Sequence, residues 1–303
     1  MARQCPQGLR TRIILVGNAG EDIDFAIAKL SHGCEIAYCE SLEAGRVFVV
    51  GSDCPPQQAL EILRGLGHQM QFDWCVEDGA APLRKKLLLA DMDSTIIACE
   101  CLDELADFAG VGAQVSAITR RAMAGELNFE AALTERVALI AGLPVAVLEE
   151  CYRERVQANP GAKRLVQAMG QFGAYTALIS GGFTFFADRV AADLGFHEAR
   201  ANVLEHDGEK LTGKVRAPIL GRAAKGAYAR ELIDRLGLTR DEVLVLGDGA
   251  NDLDMMAQAG LAVGVWPKPA VAAACNGLIR TTTLCAAMTF QGEPFAPALV
   301  LQS

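Results

Sequence analysis

The sequence predicts an α/β fold: a Rossmann-like parallel sheet with a helical cap insertion, preceded by a small N-terminal α+β domain of the ferredoxin-like kind. Short apolar runs bounded by charge recur within residues 86–290, and such runs suit strands that are buried on both faces of a sheet. Helical patterns without strands interrupt them at about residues 100–158. Ahead of both, residues 11–78 follow the order βαββαβ.

Length and composition set the size of the protein and exclude some functions. The chain has 303 residues, 51% of them hydrophobic, which is enough for sizeable cores and predicts two domains, residues 1–80 and 81–303. The net charge of −9 argues against nucleic acid as a partner, because nucleic-acid binders present a basic face to the phosphates. Small metabolites are the expected partners.

Cysteine content and hydrophobic runs predict the compartment. Ten cysteines are scattered along a chain that is too large to need disulfides, a pattern typical of reduced thiols in the cytoplasm. The apolar run near the N-terminus, residues 13–16, is too short for a signal peptide. No stretch approaches the roughly eighteen apolar residues that a membrane span needs. We therefore expect a soluble, cytoplasmic protein without membrane association.

The first domain is predicted from alternating strand and helix patterns, and it ends in the loop at residues 77–82. It contains no glycine fingerprint, acid pair or histidine cluster. These features predict an appended module that is regulatory or self-associating, so that a homodimer is one expected assembly.

The second domain is organised around the stretch KLLLADMDST, residues 86–95. The apolar run at 87–90 predicts a short buried strand, and Asp91 and Asp93 follow it directly. In open α/β sheets, ligands bind at the carboxyl ends of the strands. The acid pair is therefore predicted to lie where a ligand binds.

After the four predicted cap helices, the α/β pattern resumes. We expect Asn159 to be the N-cap of a helix that begins with Pro160. Strand-like apolar runs, helical periodicity and an Asp-Gly turn predict the rest. The expected elements are a strand at 174–179, a helix at 184–194, a hairpin at 207–208, a helix around Lys225, and strands at 243–246, 261–265 and 278–280.

Polar residues follow three of the predicted strands. They are Asp91-x-Asp93, Ser180-Gly181-Gly182 and Gly247-Asp248-x-x-Asn251-Asp252. In a parallel sheet these three ends lie along one edge. Asp91 and Asp248 can supply carboxylate ligands to Mg²⁺, and Asp93 can add a backbone carbonyl or a second carboxylate.

Electrostatics explains why a phosphate substrate would need such an ion. A phosphate dianion about 4 Å from a carboxylate is repelled by about 4 kcal/mol per pair of unit charges at an effective dielectric near 20. A divalent cation together with Lys225 reverses this sign. The Ser180 hydroxyl and the backbone N–H of Gly181 can donate hydrogen bonds to the phosphoryl oxygens. Positioning and charge stabilisation are the main requirements of phosphoryl transfer.

Each feature also has an ordinary structural explanation. An Asp-x-Asp pair at a strand end is common, Ser-Gly-Gly is often a tight turn, and a single helical lysine is usually a solvated charge. The segment GDGANDLDMM is hard to explain as packing alone. Its conjunction with the other features in this order favours a catalytic site.

These motifs resemble a known family. In order, DMDST, SGG, an isolated lysine and GDGANDL are similar to the four motifs of the haloacid dehalogenase-like phosphohydrolases, and they span residues 86 to about 290. Within that family, ECLDELAD, RAMAGELNFEAALTERV and DGEKLTGKV resemble segments of the phosphoserine phosphatases. The front module does not clearly match the ligand-binding ACT domains that some relatives carry.

The resemblance implies a chemical role for each motif. Asp91 would be the nucleophile that forms an aspartyl-phosphate, which divides one displacement into two. Asp93 would protonate the leaving serine oxygen and then deprotonate the hydrolytic water. The residues expected to bind Mg²⁺ or hold its surroundings are Asp91, Asp93, Asp248 and Asp252, with Asn251 supporting the metal shell and Lys225.

The resemblance also implies a pocket for O-phosphoserine. Arg136 would hold the substrate carboxylate through a two-bond fork, and Glu100 would pair with the ammonium group. The alternatives are a salt bridge within the cap for Arg136 and a solvated helix start for Glu100. The other expected substrate contacts are Met123 and Phe129 of the cap, and Ser180, Gly181, Gly182, Lys225 and Asn251 of the sheet edge.

The sequence thus predicts a Mg²⁺-dependent phosphatase that releases serine and phosphate from O-phosphoserine, the last step of serine biosynthesis. A phosphatase or phosphotransferase for another small phosphorylated metabolite is the enzymatic alternative. A non-catalytic amino-acid sensor is the alternative from another class, and the intact Asp91 counts against it.

Overall fold

The structure is a computed structural model that describes residues 8–17, 20–42, 46–67, 70–123 and 126–294; the side chains of Glu21 and Met123 lie outside this description. It confirms the predicted α/β class, with a large and mostly parallel sheet in the second part of the chain.

In its described residues, the front module contains four antiparallel strands and two helices. Its strands lie in the order β2-β3-β1-β4. The inward-facing residues of β1 and β4 are fully buried, which explains the apolar runs in the sequence. Its elements are β1 (Thr11–Gly17), α1 (Glu21–Gly33), β2 (Ile36–Leu42), β3 (Val47–Ser52), α2 (Pro56–Gly65) and β4 (Phe72–Asp78).

The short strand β5 (Leu87–Ala90) lies in the interior of the sheet, with β10 (Val243–Gly247) on one side and β6 (Tyr175–Phe183) on the other. Its four residues are fully buried. Leu88 and Ala90 belong to one hydrophobic core, whereas Leu87 and Leu89 belong to another. The strand is therefore buried on both faces, as its continuous apolar run predicts.

The cap follows β5, and the part of it that the structure describes consists of four helices, as the sequence predicts. Apolar side chains from these helices share a hydrophobic core with Leu88 and Ala90 of the sheet. The segments that enter and leave the cap are joined by an isolated antiparallel bridge between Ile97 and Ala158. The helices are α3 (Cys101–Phe108), α4 (Gly112–Met123), α5 (Phe129–Ala138) and α6 (Ala146–Arg155).

Asn159 does not cap a helix, and this prediction was wrong. The following helix begins two residues later than expected, after Gly161. The Asn159 amide instead donates to the carbonyl oxygens of Thr95, at 2.8 Å, and Ile97, at 3.2 Å. Its side chain therefore ties the exit of the cap to its entry.

The rest of the chain completes the sheet. Strands β12, β11, β10, β5, β6 and β7 are parallel neighbours in that order, and β8 and β9 form a separate hairpin. The elements are α7 (Ala162–Gln171), β6 (Tyr175–Phe183), α8 (Thr184–Leu194), β7 (Glu198–Asn202), β8 (Leu204–His206), β9 (Leu211–Val215), α9 (Arg222–Leu236), β10 (Val243–Gly247), α10 (Leu253–Met256), β11 (Leu261–Val265), α11 (Pro269–Ala274), β12 (Gly277–Ile279) and α12 (Ala286–Thr289).

The two predicted domains share one ten-stranded sheet. Strand β4 of the front module pairs antiparallel with β12, so that Trp74 lies opposite Leu278. Beside this junction the buried carboxylate of Glu77 accepts hydrogen bonds from Arg12, at 3.0 Å, and from Lys85. The division at residue 80 stays a prediction, and the sheet itself is continuous across it.

Cysteines and helix lengths add two facts about the described residues. All nine cysteines in the described ranges are free thiols, as the scattered spacing predicts. Among the helices of that part of the chain, none is both long enough and apolar enough to cross a membrane.

Candidate active site

Strands β10, β5 and β6 are neighbours, and their carboxyl ends bring the predicted polar residues to one edge of the sheet. Asp91 follows β5, Ser180 lies near the end of β6, and Asp248 follows β10. All three side chains are buried. Three segments that are distant in sequence thus meet in one crevice.

Asp91 is held by hydrogen bonds and one ion pair. Its backbone N–H donates to the Leu246 carbonyl at 3.0 Å, which joins β5 to β10 at their ends. Its carboxylate atom Oδ1 accepts from the Met92 N–H at 2.8 Å and lies 2.7 Å from Lys225 Nζ. Asn251 Nδ2 lies 3.4 Å from the other oxygen, Oδ2. The carboxylate is therefore fixed in orientation.

Lys225 on α9 reaches this edge as a fully buried cation. Its Nζ lies 2.7 Å from Asp91 Oδ1 and 2.8 Å from Asp252 Oδ1. Burial opposes the charge of the ammonium, but the carboxylates of Asp252 and Asp91 more than compensate and raise the pKa of Lys225 above its ordinary value. The lysine stays charged and holds both acids.

Asp252 supports the loop that carries Asp248. Its Oδ2 accepts from the backbone N–H groups of Asp248, at 3.1 Å, and Gly249, at 3.2 Å. Burial and the nearby charge of Asp91 raise the pKa of Asp252 to about 7. A side chain at Gly247 would collide with Asp252, because an ideal Cβ would lie 2.6 Å from its Oδ2. This glycine permits the close approach.

The acidic residues fit a divalent metal ion. Asp91, Asp248 and Asp252 each offer a carboxylate oxygen, and these atoms lie within 4.8 Å of one another. All three residues are buried, so their mutual repulsion is weakly screened by water and requires positive charge. Hard cations such as Mg²⁺ bind oxygen ligands of this kind. The donor set thus fits a hard divalent cation.

Asp93 lies in the turn after β5, next to the other acids. Its Oδ1 accepts from the Cys101 N–H at 3.0 Å, and Ser180 Oγ lies 3.4 Å from its Oδ2. Burial, followed by the negative charge of Glu100, raises the pKa of Asp93 to about 7. A carboxyl group with this pKa exchanges a proton near neutral pH.

The turn that presents Asp93 includes a strained residue that sequence reasoning missed. Ser94 adopts φ = 56°, a value that non-glycine residues rarely adopt. Its hydroxyl donates to Glu100 Oε1 at 2.8 Å. The Ser94 hydroxyl therefore joins the turn that carries Asp93 to Glu100, which directly precedes α3 of the cap.

The segment Ser180-Gly181-Gly182 provides close backbone approach. The Gly182 N–H donates to Ser180 Oγ at 2.8 Å. An ideal Cβ at Gly182 would lie 2.5 Å from Asp93 Oδ2, and one at Gly181 would lie 3.0 Å from the Phe129 ring. A side chain at Gly182 would displace the Asp93 carboxylate, and Phe129 of the cap lies against Gly181.

The cap residues are placed less directly. Burial raises the pKa of Glu100, whose Oε1 lies 4.0 Å from Lys268 Nζ. Arg136 is half-buried, and its Nε donates to the Ala132 carbonyl of its own helix at 3.3 Å. Met123 was predicted to shield the site, and its side chain lies outside the described residues.

Lys268 is a residue of the site that sequence reasoning missed. Its Nζ lies 2.9 Å from Asp248 Oδ2. A lysine before a proline, at the start of a short helix, has no distinguishing sequence pattern in a single chain. Its place in the site follows only from the pairing of β11 with β10, which brings the loop after β11 next to Asp248.

Comparisons with known proteins agree with this geometry. A family model described as haloacid dehalogenase-like hydrolase matches residues 88–257. A phosphoserine phosphatase of Polaromonas sp. (strain JS666 / ATCC BAA-500) is 46% identical over 191 residues, which cover 61% of this chain and 81% of the relative.

Two solved structures are similar to the chain. A HAD family hydrolase of Salmonella enterica serovar Typhi has a TM-score of 0.82 at 28% identity, and the match covers 93% of this chain and 98% of that one. A substrate-bound phosphoserine phosphatase complex has a TM-score of 0.64 at 34% identity, covering 68% and 98% respectively. The first match includes the front module, whereas the second covers about the length of the second domain.

Proposed function

The chain belongs to the haloacid dehalogenase-like hydrolases, and from this membership we propose that it is a phosphoserine phosphatase. It hydrolyses O-phosphoserine to serine and phosphate, the final step of serine biosynthesis. The strongest support within the molecule is the buried group of Asp91, Lys225, Asp248 and Asp252, which lies at the carboxyl edge of the sheet. Three acids and one lysine in this arrangement suit a phosphate only when a divalent cation is bound.

Asp91 is the proposed nucleophile. One of its carboxylate oxygens forms a bond to phosphorus while the bond between phosphorus and the serine oxygen breaks, which leaves an aspartyl-phosphate. The hydrogen bond from Met92 and the contact with Lys225 fix the carboxylate before the substrate arrives. Such preorganisation lowers the cost of reaching the reactive geometry.

Asp93 is the proposed general acid and base. It donates a proton to the leaving serine oxygen in the first step, and it accepts a proton from water in the second, when the water attacks phosphorus and releases Asp91. Its position supports this role. Asp93 follows Asp91 by two residues, and the Cys101 N–H and the Ser180 hydroxyl hold its carboxyl group in place.

A divalent metal ion, for which we propose Mg²⁺, completes the site. Asp91, the backbone carbonyl of Asp93 and Asp248 are its proposed ligands, and Asp252 holds the surrounding loop and Lys225. When bound, the ion neutralises acidic charge and stabilises the charge that develops on the phosphoryl oxygens.

The substrate is recognised at both ends. The Ser180 hydroxyl, the backbone of Gly181 and Gly182, Lys225 and Asn251 are proposed to contact the phosphate. In the cap, Glu100 is proposed to bind the ammonium group and Arg136 the carboxylate of the amino acid, with Phe129 and Met123 excluding water. A zwitterion requires one group of each sign, and this pair supplies them.

Turnover of O-phosphoserine tests the proposed function. Phosphate release by the full chain should require a divalent metal and should stop on addition of EDTA. Equal release of phosphate with and without EDTA, or no release at any metal concentration, would contradict it. A parallel series with Mn²⁺ separates the choice of ion from the reaction itself, because both ions accept the same oxygen ligands.

Removal of the cap charges is expected to change substrate preference rather than chemistry. Glu100→Gln and Arg136→Gln should each lower kcat/KM for O-phosphoserine by about 100-fold, since each leaves one charged end of the substrate unpaired. For an uncharged alkyl phosphate, kcat/KM of Arg136→Gln should change by less than about threefold. Glu100→Gln also removes a charge that raises the pKa of Asp93, so it should lower kcat/KM for the alkyl phosphate too, but less than for O-phosphoserine.

The matched control is Arg121→Gln, which removes an exposed arginine that pairs with Glu126 and Glu135 of the cap. Arg121→Gln should leave kcat/KM for both substrates unchanged. If Glu100→Gln and Arg136→Gln lower the turnover of the two substrates to the same extent, their proposed roles in recognising the amino acid are wrong.

The cellular location of the protein and the role of its front module are further proposals. Free thiols at all nine described cysteines support a reducing compartment, for which we propose the cytoplasm.

For residues 1–80 we propose a regulatory or dimer-forming module. Its separation from the rest would expose the edge of β12 and leave Lys85 without the buried Glu77 carboxylate.

A further inference from the structure

The loop after β11 contains a strained residue next to the site. Trp266 adopts φ = 40°, in a region that non-glycine residues rarely occupy. Its backbone N–H donates to the Ile279 carbonyl at 2.9 Å, and its indole N–H donates to the Arg280 carbonyl at 3.0 Å. These two bonds hold the unfavourable conformation, which is a feature that clusters at functional sites.

The next two residues are fixed as well. Pro267 packs on Gly264, where an ideal Cβ would lie 2.9 Å from the proline ring. The Lys268 N–H donates to the Asp248 carbonyl at 2.8 Å. The loop is therefore attached to β12 at one end and to the Asp248 segment at the other, so that the base of the Lys268 side chain has a defined position.

The ammonium group of Lys268 faces two acids of the crevice. Its Nζ lies 2.9 Å from Asp248 Oδ2 and 4.0 Å from Glu100 Oε1. The Asp248 side chain is only 6% exposed, whereas that of Lys268 is 52% exposed. Lysine thus brings a partly hydrated charge to a carboxylate that is almost entirely removed from water.

We propose that Lys268 is a positioning residue of this site. Its ammonium group holds Asp248 Oδ2 as a permanent counter-cation, and it thereby reduces the negative charge that an incoming phosphate monoester meets. This inference rests on the proposed phosphatase function. It assigns to Lys268 a role distinct from that of Lys225, which lies on α9 and contacts Asp91 and Asp252.

The proposal has two consequences, one for stability without a metal ion and one for substrate binding with it. Without a metal ion, Asp248 depends on Lys268 for compensation, so that loss of the ammonium destabilises the metal-free protein more than the metal-bound protein. With the metal bound, loss of one positive charge beside the crevice weakens the attraction of any phosphate monoester. A solvated surface lysine would produce neither effect.

The test compares Lys268→Gln and Lys268→Arg with wild type. Thermal unfolding is recorded in EDTA and in saturating MgCl₂, and steady-state kinetics are measured with O-phosphoserine. Lys268→Gln should increase the metal-induced rise in Tm by about 3 °C and raise KM roughly tenfold, with kcat within about threefold of wild type. Lys268→Arg keeps the charge and should restore both values to near wild type.

The matched control is Lys86→Gln, which removes a lysine paired with Glu242 at 2.7 Å at the amino end of β5. It should lower Tm equally with and without metal and leave KM unchanged. The proposal is overturned if Lys268→Gln has the wild-type metal-induced rise in Tm or the wild-type KM, or if Lys268→Arg behaves like Lys268→Gln. Because the Tm comparison needs no turnover, it decides on Lys268 even if the protein does not hydrolyse O-phosphoserine.

Discussion

Asp91→Asn is expected to abolish the release of phosphate from O-phosphoserine, with kcat lowered by about 10⁴-fold or more. The amide keeps the shape of the side chain but cannot attack phosphorus. Because Asp91 repels Asp252 and Asp248 across the buried cluster, its neutralisation should not unfold the protein. Phosphate release under metal saturation measures the effect, and circular dichroism reports the fold.

The control for this variant is Asp254→Asn. Asp254 lies just after the fourth motif, is partly exposed, and pairs with Arg222 at 2.7 Å outside the crevice. This substitution also replaces an aspartate by asparagine, and it should leave kcat within about threefold of wild type. Hydrolysis retained by Asp91→Asn would overturn the covalent mechanism while leaving the fold unaffected.

Lys225→Met is expected to lower both activity and stability. Loss of a buried cation that contacts the reacting centre should reduce kcat/KM by about 10²–10³-fold. The substitution also leaves Asp91 and Asp252 without their shared partner, and breaking a buried ion pair in this way costs about 3 kcal/mol of unfolding free energy. Steady-state kinetics and denaturant unfolding, both with metal present, measure the two effects separately.

The double variant Lys225→Met/Asp252→Asn separates charge balance from catalysis. It removes one negative charge together with the positive one, so most of the lost unfolding free energy should return while kcat/KM stays low. If Lys225→Met is as stable as wild type, the buried ion pairs contribute little to the fold. Unchanged kcat/KM in the single variant would show that Lys225 takes no part in phosphoryl transfer.

The sequence was sufficient for the fold wherever hydrophobic burial was continuous. The run at 87–90 predicts a strand because its neighbours cover both faces, and the absence of strand patterns at 100–158 predicts the helical cap. Strand β7, with the sequence EARAN, was not predicted. Only one of its five residues is buried, so its pairing with β6 leaves little hydrophobic signal.

Contacts between distant segments limited the other predictions. Asn159 was predicted to cap a helix because it precedes a proline, yet its amide donates to the carbonyl oxygens of Thr95 and Ile97, in the segment that enters the cap. The pairing of β4 with β12 joins residues about two hundred positions apart, and local patterns carry no information about it. Such contacts are determined by the assembled core rather than by propensity.

The motif residues of the site were predictable because chemistry restricts them. Carboxylates at the ends of two adjacent strands, one of them flanked by Gly247 and Gly249, have few other uses in a sheet. Lys268 was missed because a lysine at a helix start is usually a solvated charge, and only the contact with Asp248 reveals it. Ser94 was missed because its left-handed backbone is unusual for serine.

Trapping the covalent intermediate tests the central claim most directly. The protein is mixed with O-phosphoserine and metal, quenched during turnover, and treated with borohydride, which reduces an acyl phosphate to an alcohol; the modified residue is then located by peptide mass spectrometry. We predict modification at Asp91, absent from Asp91→Asn and from a sample without substrate. Modification at Asp93 or another residue, or none while phosphate is being released, would contradict the account.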